Sequence, residues 1–420
     1  IEGAEMNEEV KKQEFWNYQT PFYIFDTDVL AERIRKIRSV IGSRAEVCYA
    51  MKANPFLTGA LTQLTDSFEV CSPGEFRICE RAGVPMEKII MSGVYKNPED
   101  IFRAVKTYEG KGVYTAESPV QWELLKRCSE ECGVVLRVLL RLSAGSQFGM
   151  DEEAIRKIVS ERMSAPNLEI EGLQLFSGTQ KKSSKKYGRE LSRLNGFRIE
   201  LEKEYGWKAS RLEYGPGLPV AYFEEEEDSG EELLTRLASE LDAVDFDGRV
   251  VLEMGRFIAA SCGSYVTSVA DLKISEGQGY CIVDGGIHHV NYYGQMMAMK
   301  KPPIRYLRQT AAETAISGDV AAKKPECQAE NSWTVCGSLC TMNDVLVKQY
   351  PLSGPAIGDR LVFERTGAYS VTEGISLFLS RPLPQVLLYS EKEGFRVLRK
   401  SLPTDVLNYD SAAPEKQAAA

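Results

Sequence analysis

Residues 46–91 read EVCYAMKANPFLTGALTQLTDSFEVCSPGEFRICERAGVPMEKIIM. Three short apolar, β-rich runs stand out at 46–50, 68–70 and 88–91, and the intervals between them carry helical patterns. The alternation continues through runs at 112–114, 135–142, 169–176, 211–214 and 249–254. Amphipathic stretches such as 118–132 and 152–163 lie between, the latter with Asp151 as its cap. Eight strands with intervening helices predict an α/β fold in which a parallel sheet closes into a (β/α)8 barrel; an open doubly wound sheet is the alternative.

After about residue 262 the helical patterns fade. Strand-like runs follow one another at 264–270, 280–283, 333–335, 345–349, 360–363, 385–389 and 395–398, so a β domain is expected here. The early run 22–25 is expected to pair with it. The expected organisation is a barrel over 27–262, a β domain over 263–410 joined by residues 10–26, and a disordered Ala-rich tail over 411–420. Residues 1–5 read as an appended remnant.

A chain of 420 residues with 43% hydrophobic content can bury a large core. Its formal net charge of −9 argues against a nucleic-acid partner. The cationic cluster Lys181-Lys182-Ser183-Ser184-Lys185-Lys186 reads as a solvated loop before a helix rather than a docking patch. Ten cysteines lack paired CxxC spacing and several, such as Cys48 and Cys281, sit in apolar runs; they read as buried thiols in a reducing compartment. The chain carries no run of about 18 apolar residues and its first ten residues are polar and acidic, so no membrane span or signal peptide is expected and a cytoplasmic location is the default.

The active site of such a barrel lies at the C-terminal ends of its strands. The first strand runs into Tyr49-Ala50-Met51-Lys52-Ala53-Asn54, aiming a lysine at the barrel mouth, where desolvation is costly unless the amine is bonded or modified. A snorkelling surface lysine is the plain alternative. The second strand ends in Glu69-Val70-Cys71-Ser72-Pro73-Gly74-Glu75, and the fifth carries Arg141. The sixth runs into Phe176-Ser177-Gly178-Thr179-Gln180, the seventh ends in Tyr214-Gly215-Pro216-Gly217, and the eighth ends in Glu253-Met254-Gly255-Arg256. Each could be only a turn. Together they supply an imine-forming lysine, glycine and hydroxyl loops for a phosphate, an arginine to pair with it, and a carboxylate for a pyridine nitrogen, which is what pyridoxal phosphate needs.

With these motifs in this order, residues 20–384 resemble the fold-type III pyridoxal-phosphate-dependent decarboxylases of the diaminopimelate, ornithine and arginine group. The fold implied is a TIM-like barrel with a C-terminal β domain, shared with alanine racemase. The resemblance implies that Lys52 forms a Schiff base with the cofactor, that Glu253 holds its ring nitrogen protonated, and that Arg141 lies near the ring oxygen or Lys52. It also implies that Phe176 stacks on the ring where the family has histidine. Ser177, Gly178, Thr179, Gly215, Gly217, Arg256 and, in Gly367-Ala368-Tyr369, Tyr369 would hold the phosphate. Cys340, in Cys336-Gly337-Ser338-Leu339-Cys340, matches a cysteine contributed across a homodimer interface and is the candidate proton donor. A buried structural thiol is the alternative.

The departures concern the substrate. After Cys340 the family's free-amino-acid decarboxylases carry an acid that reads a distal amine; here stands Thr341, so a second cationic amine loses its partner. After Asp284-Gly285-Gly286 this chain has Ile287-His288-His289-Val290-Asn291-Tyr292-Tyr293; together with Gly178-Thr179-Gln180, Gln147-Phe148-Gly149-Met150-Asp151-Glu152 and Leu339-Cys340-Thr341 this resembles more closely the butirosin-pathway enzyme that decarboxylates a glutamyl group on an acyl carrier protein. A tethered or derivatised amino acid is therefore the expected substrate class, with Thr341 and His288 as substrate contacts. Free diaminopimelate, lysine or ornithine is the alternative. With Phe176 for histidine and Pro216 for glycine, a catalytically silent binding protein is a second class, and a racemase a third. The two histidines, adjacent in a strand, would point to opposite faces and not share a metal ion, so no metal is expected.

Overall fold

The structure, a computed structural model, describes residues 14–309 and 332–410. The expected tail over 411–420, residues 1–5 and the start of the joining segment over 10–13 lie outside the described residues. The chain divides into two compact units, one of residues 29–221 and 227–260, the other from the described parts of 1–28, 222–226 and 261–420.

The first unit is a closed barrel of eight strands in chain order. Counting β1 as Phe22–Asp26, the barrel strands are β2 (Glu46–Ala50), β3 (Ser67–Val70), β4 (Ile89–Met91), β5 (Val113–Ala116), β6 (Leu136–Leu142), β7 (Leu168–Phe176), β8 (Arg211–Gly215) and β9 (Arg249–Met254). All neighbours pair in parallel, and β9 closes on β2 through Cys48 opposite Glu253. These are the eight runs expected, and closure excludes the open sheet. Both faces of the strands are buried, so they read as nearly unbroken apolar runs. Cys48, Ile90, Val113, Leu139 and Val251 pack together as one core cluster.

Local chemistry sets the helix boundaries between these strands. Three helices open with a capping residue followed by proline: Ser72 before Pro73–Ala82, Asn97 before Pro98–Thr107 and Ser118 before Pro119–Cys132. Asp151 caps Glu152–Ser160, accepting from the Ala154 N–H. That helix ends three residues earlier than its pattern suggested, handing over to the 3-10 turn Arg162–Ser164.

The second unit holds a nine-stranded sheet. Its later strands are β10 (Gly263–Ser275), β11 (Gln278–Val283), β12 (Ile304–Leu307), β13 (Ser332–Cys336), β14 (Val345–Pro351), β15 (Arg360–Phe363), β16 (Gln385–Ser390) and β17 (Gly394–Arg399). The early strand β1 lies inside this sheet, antiparallel to β10 and parallel to β16. Phe22, Ile24, Val266, Val362, Leu387 and Tyr389 form the core on one face. Among the described residues no helix is long and apolar enough to cross a membrane, and the nine described cysteines are free thiols.

Candidate active site

Strand β2 ends at Ala50, and a 3-10 turn, Met51–Ala53, carries Lys52 at the barrel rim. The Asn54 side chain caps the next turn by accepting from the Phe56 N–H, which fixes the exit of the chain. Lys52 Nζ lies 2.6 Å from Glu69 Oε2, 3.2 Å from Glu253 Oε1 and 3.8 Å from Cys71 Sγ. Register explains the arrangement, because β3 sets Glu69 opposite Ala50 and β9 sets Glu253 opposite Cys48. The lysine therefore receives one carboxylate from each flanking strand.

The two carboxylates are not equivalent. Burial opposes ionisation of Glu69, but the Lys52 charge and hydrogen bonds from Cys71 and Lys52 outweigh it and hold the carboxyl below its usual range. Glu253 goes the other way. Burial, then the Glu69 charge, push it up to about 7 against the pull of Lys52. One acid stays ionised while the other can exchange a proton near neutrality. Cys71 donates to Glu69 Oε1 at 2.9 Å, and burial with the Glu69 charge raises its thiol, so it acts as a donor and not a thiolate.

Below Glu253 a line of buried polar groups descends the barrel. Gln174 Nε2 donates to Glu253 Oε2 at 3.2 Å and to Glu213 Oε1 at 2.7 Å. Arg211 then donates to Glu213 Oε2 at 2.6 Å. Beside this line, Phe176 ends β7 with its ring against Gly215 of β8, where a Cβ would come within 2.3 Å of the ring. Gly217 has φ 60°, and a Cβ there would lie 2.1 Å from the Gly178 carbonyl oxygen, so the two glycine loops touch backbone to backbone. The Gln180 side chain locks them by bonding both backbone groups of Val220. Buried Arg256, just after β9, reaches Thr179 Oγ1 at 3.4 Å.

The cationic cluster over 181–186 corrects an expectation. Lys181 is not solvated: it is 4% exposed, with Nζ 2.7 Å from Glu190 Oε2 and 3.3 Å from the Gly215 carbonyl. The helix Ser184–Tyr205 already includes Lys185 and Lys186 and turns Glu190 inward. Glu190 collects Lys181, the Tyr214 hydroxyl and the exposed Ser177 hydroxyl, and these donors hold its carboxyl low against the effect of burial. Arg141 pairs with Glu117 at 2.9 Å, its guanidinium 4.9 Å from the Phe148 ring centre. Buried Lys96 donates to the Gly93 carbonyl at 3.2 Å, and burial brings its ammonium down to about 8 against the Glu117 charge.

In the sheet unit, Asp344 gathers two of the motifs. Its carboxylate accepts from the Ile287 N–H at 2.9 Å and the Leu339 N–H at 2.7 Å, tying the Gly286–Val290 turn to the loop that carries Cys340 and Thr341. Cys340 is exposed, Thr341 half-buried, and Tyr369 sits at φ 68° within the same unit. The histidines correct a second expectation. They lie in a turn and not a strand, and their rings pack together at 3.7 Å between centroids. His289 uses both ring nitrogens, on the Tyr265 hydroxyl and the Pro382 carbonyl. His288 is 2% exposed, and neither ring nitrogen has a hydrogen-bond partner. Burial lowers them to about 3 and about 4 respectively. Among the described residues no three potential metal ligands cluster.

Sequence reasoning missed Glu69, Gln174 and Glu213 as site residues. A signal was available: each interrupts an apolar run with one polar residue, in Phe68-Glu69-Val70, Leu173-Gln174-Leu175 and Leu212-Glu213-Tyr214, as Glu253 does in Leu252-Glu253-Met254. In a parallel barrel strand such a residue points into the barrel or into the helix layer, and costs free energy unless bonded.

Comparison with known proteins adds a lineage. The profile of the family described as pyridoxal-dependent decarboxylase, pyridoxal binding domain, matches residues 27–260. The chain is 27% identical to an L-glutamyl-[BtrI acyl-carrier protein] decarboxylase from Niallia circulans, over 93% of each chain. It is 25% identical to a 2-[(L-alanin-3-ylcarbamoyl)methyl]-2-hydroxybutanedioate decarboxylase from Staphylococcus aureus, over 88% of this chain and 94% of that one. The fold is similar to that of diaminopimelate decarboxylase from Helicobacter pylori, crystallised with L-lysine, at a TM-score of 0.79 and 22% identity, over 94% of this chain and 98% of that one.

Proposed function

The chain belongs to the pyridoxal-dependent decarboxylases, and on that premise we propose that its barrel site removes the α-carboxylate of a tethered or derivatised amino acid, with Lys52 as the cofactor's covalent anchor. The observation that carries the anchor role is the Lys52 amine held between Glu69 and Glu253 at the C-terminal strand ends. The surroundings fit pyridoxal phosphate. Gly178 has open space where a Cβ would stand, and Gly217 would lose its backbone approach to Gly178 with any side chain. With Thr179 and Arg256 beside them, these glycines make a phosphate cradle of backbone, hydroxyl and guanidinium donors.

Bound pyridoxal phosphate supplies an aldehyde carbon that condenses with amines and a protonated ring that accepts the electron pair left when a carboxylate departs as carbon dioxide. The chain's own residues do the rest. Glu69 keeps the Lys52 ammonium oriented, and Glu253, poised near neutrality, can accept a proton from Lys52 Nζ or sit ionised against a ring N–H. Phe176 would offer an apolar face to the ring, and Arg141, paired with Glu117, would serve the side of the ring oxygen. Ser177, Gly215 and, from the sheet unit, Tyr369 would be the remaining phosphate ligands. Cys340 donates the proton that replaces the carboxylate, and the chain acts as a homodimer.

The substrate class rests on Thr341 and its neighbours. A threonine leaves no charge to read a distal ammonium, and the relatives from N. circulans and S. aureus are named for a carrier-bound glutamyl group and an amide-linked amino acid. Thr341 and His288 are the proposed contacts. The test is the absorbance spectrum of wild type and Lys52→Ala with and without borohydride, followed by carbon dioxide release from carrier-bound glutamate and from free diaminopimelate, lysine and ornithine. A reducible band in wild type alone, with turnover of the carrier-bound substrate, is expected. Absence of the band in cofactor-supplemented wild type ends the enzyme reading, and turnover confined to a free diamino acid replaces the substrate class.

A further inference from the structure

We infer that Gln174 is a positioning residue for the carboxylate that faces the cofactor's ring nitrogen: its single amide nitrogen ties Glu253 to Glu213 and through it to Arg211 on the closed side of the barrel. The inference rests on the cofactor reading above. Gln174 is 1% exposed on β7, opposite Glu213 on β8. Its Nε2 spends both hydrogens on carboxylates, 3.2 Å to Glu253 Oε2 and 2.7 Å to Glu213 Oε1, whereas its Oε1 is buried with no hydrogen-bond partner. Amide orientation is not ambiguous here, because the reverse flip would aim a carbonyl oxygen at two acids. Leaving a buried carbonyl unpaired costs free energy on the order of 1–3 kcal/mol. A core position that tolerates this loss, where methionine would fit without it, is one whose nitrogen is needed.

The geometry also assigns a direction to the positioning. Glu253 Oε1 faces Lys52 and Oε2 is held from below, so the carboxylate plane is pinned at both ends. Glu213 cannot drift, since Arg211 grips its other oxygen at 2.6 Å. Charge follows the same logic. With Glu253 ionised, the line contains the carboxylates of Glu69, Glu213 and Glu253 against the cations of Lys52 and Arg211, one positive charge fewer than negative. A neutral amide at 174 leaves that deficit open for a protonated ring nitrogen, whereas a cation there would fill it.

The test uses Gln174→Met, which matches the size and removes the donor, in the full-length holoenzyme. Cofactor affinity by equilibrium dialysis and the pH midpoint of the visible absorbance band are read beside turnover. Lys52, Glu69, Glu213 and Arg141 are the ionisable groups that act on Glu253 and stay unchanged. Q174M is expected to weaken cofactor binding about tenfold and to move the band's midpoint by about half a pH unit or more. Gln174→Asn, an amide one methylene too short to reach both acids, is expected to do the same at about a third of that size, and carries the test if Q174M does not fold. Wild-type affinity and an unmoved midpoint in the variant that folds overturn the role. A wild type with no reducible band overturns instead the cofactor reading beneath it.

Discussion

The barrel end and the Cys340 loop are built on opposite principles. Around Lys52 every ionisable group is answered by a neighbour: Glu69, Glu253, Gln174, Glu213 and Arg211 form one connected line, all but the lysine buried. In the sheet unit the Cys336–Thr341 loop is fixed mainly through its backbone, by Asp344, Gly285 and Arg381, while the Cys340 side chain is exposed. The contrast separates two tasks. A cofactor is the same in every turnover and rewards a preorganised pocket; on the function proposed above, the substrate is what side chains on a braced but open loop would read.

On that division, barrel variants should disturb cofactor signals and loop variants only turnover. Lys52→Ala carries the largest expected effect, loss of the borohydride-reducible band and a fall in kcat/KM of about 1000-fold or more. Removing Glu69 comes next. Glu69→Ala takes away a charge that raises Glu253, so the pH dependence attributed to Glu253 should move below about 7, with kcat down about 100-fold. A pH–rate profile that keeps its midpoint would break the assigned coupling. Cys340→Ala should lower kcat about 10- to 100-fold with cofactor affinity unchanged, a result that would sharpen the comparison. A weakened cofactor would erase it.

A smaller effect separates the units by stability. Both histidines are lowered in the fold, so below pH 6.5 the unfolded chain binds protons that the folded chain refuses. The stability they contribute is present above pH 6.5 and lost as pH falls through about 4 and about 3. Melting curves of His289→Asn should therefore be flatter between pH 6.5 and pH 4 than those of wild type; parallel curves would refute the assignment. Ser177→Ala should be the mildest, an exposed hydroxyl held by Glu190 whose loss changes cofactor affinity less than about threefold.

The barrel was legible because parallel strands buried on both faces leave continuous apolar runs, and because cap–proline pairs mark where helices begin. Lys52 and Glu253 could be read as well, since each sits at a strand end where chemistry is expected. Strand β12 could not, because Ile304–Leu307 is half-buried throughout and shows no alternation. Lys181 was hidden by its company, since four lysines in six residues read as solvent-facing until helix Ser184–Tyr205 brings Glu190 beneath the first of them. His288 and His289 do not share the strand geometry expected of them because Gly285 and Gly286 end the run 280–283 and lead into a turn.

Strand β1 has a consequence for how the protein is made. Its two neighbours, β10 and β16, begin 241 and 363 residues after it begins. During translation the barrel can close once β9 emerges and β10, close behind it, can cover one edge of Phe22–Asp26, but the edge that pairs with β16 stays open until residues 385–390 emerge. Slow elongation or early termination between β10 and β16 would therefore yield chains with a finished barrel and one open, adhesive strand edge, the form most in need of a chaperone.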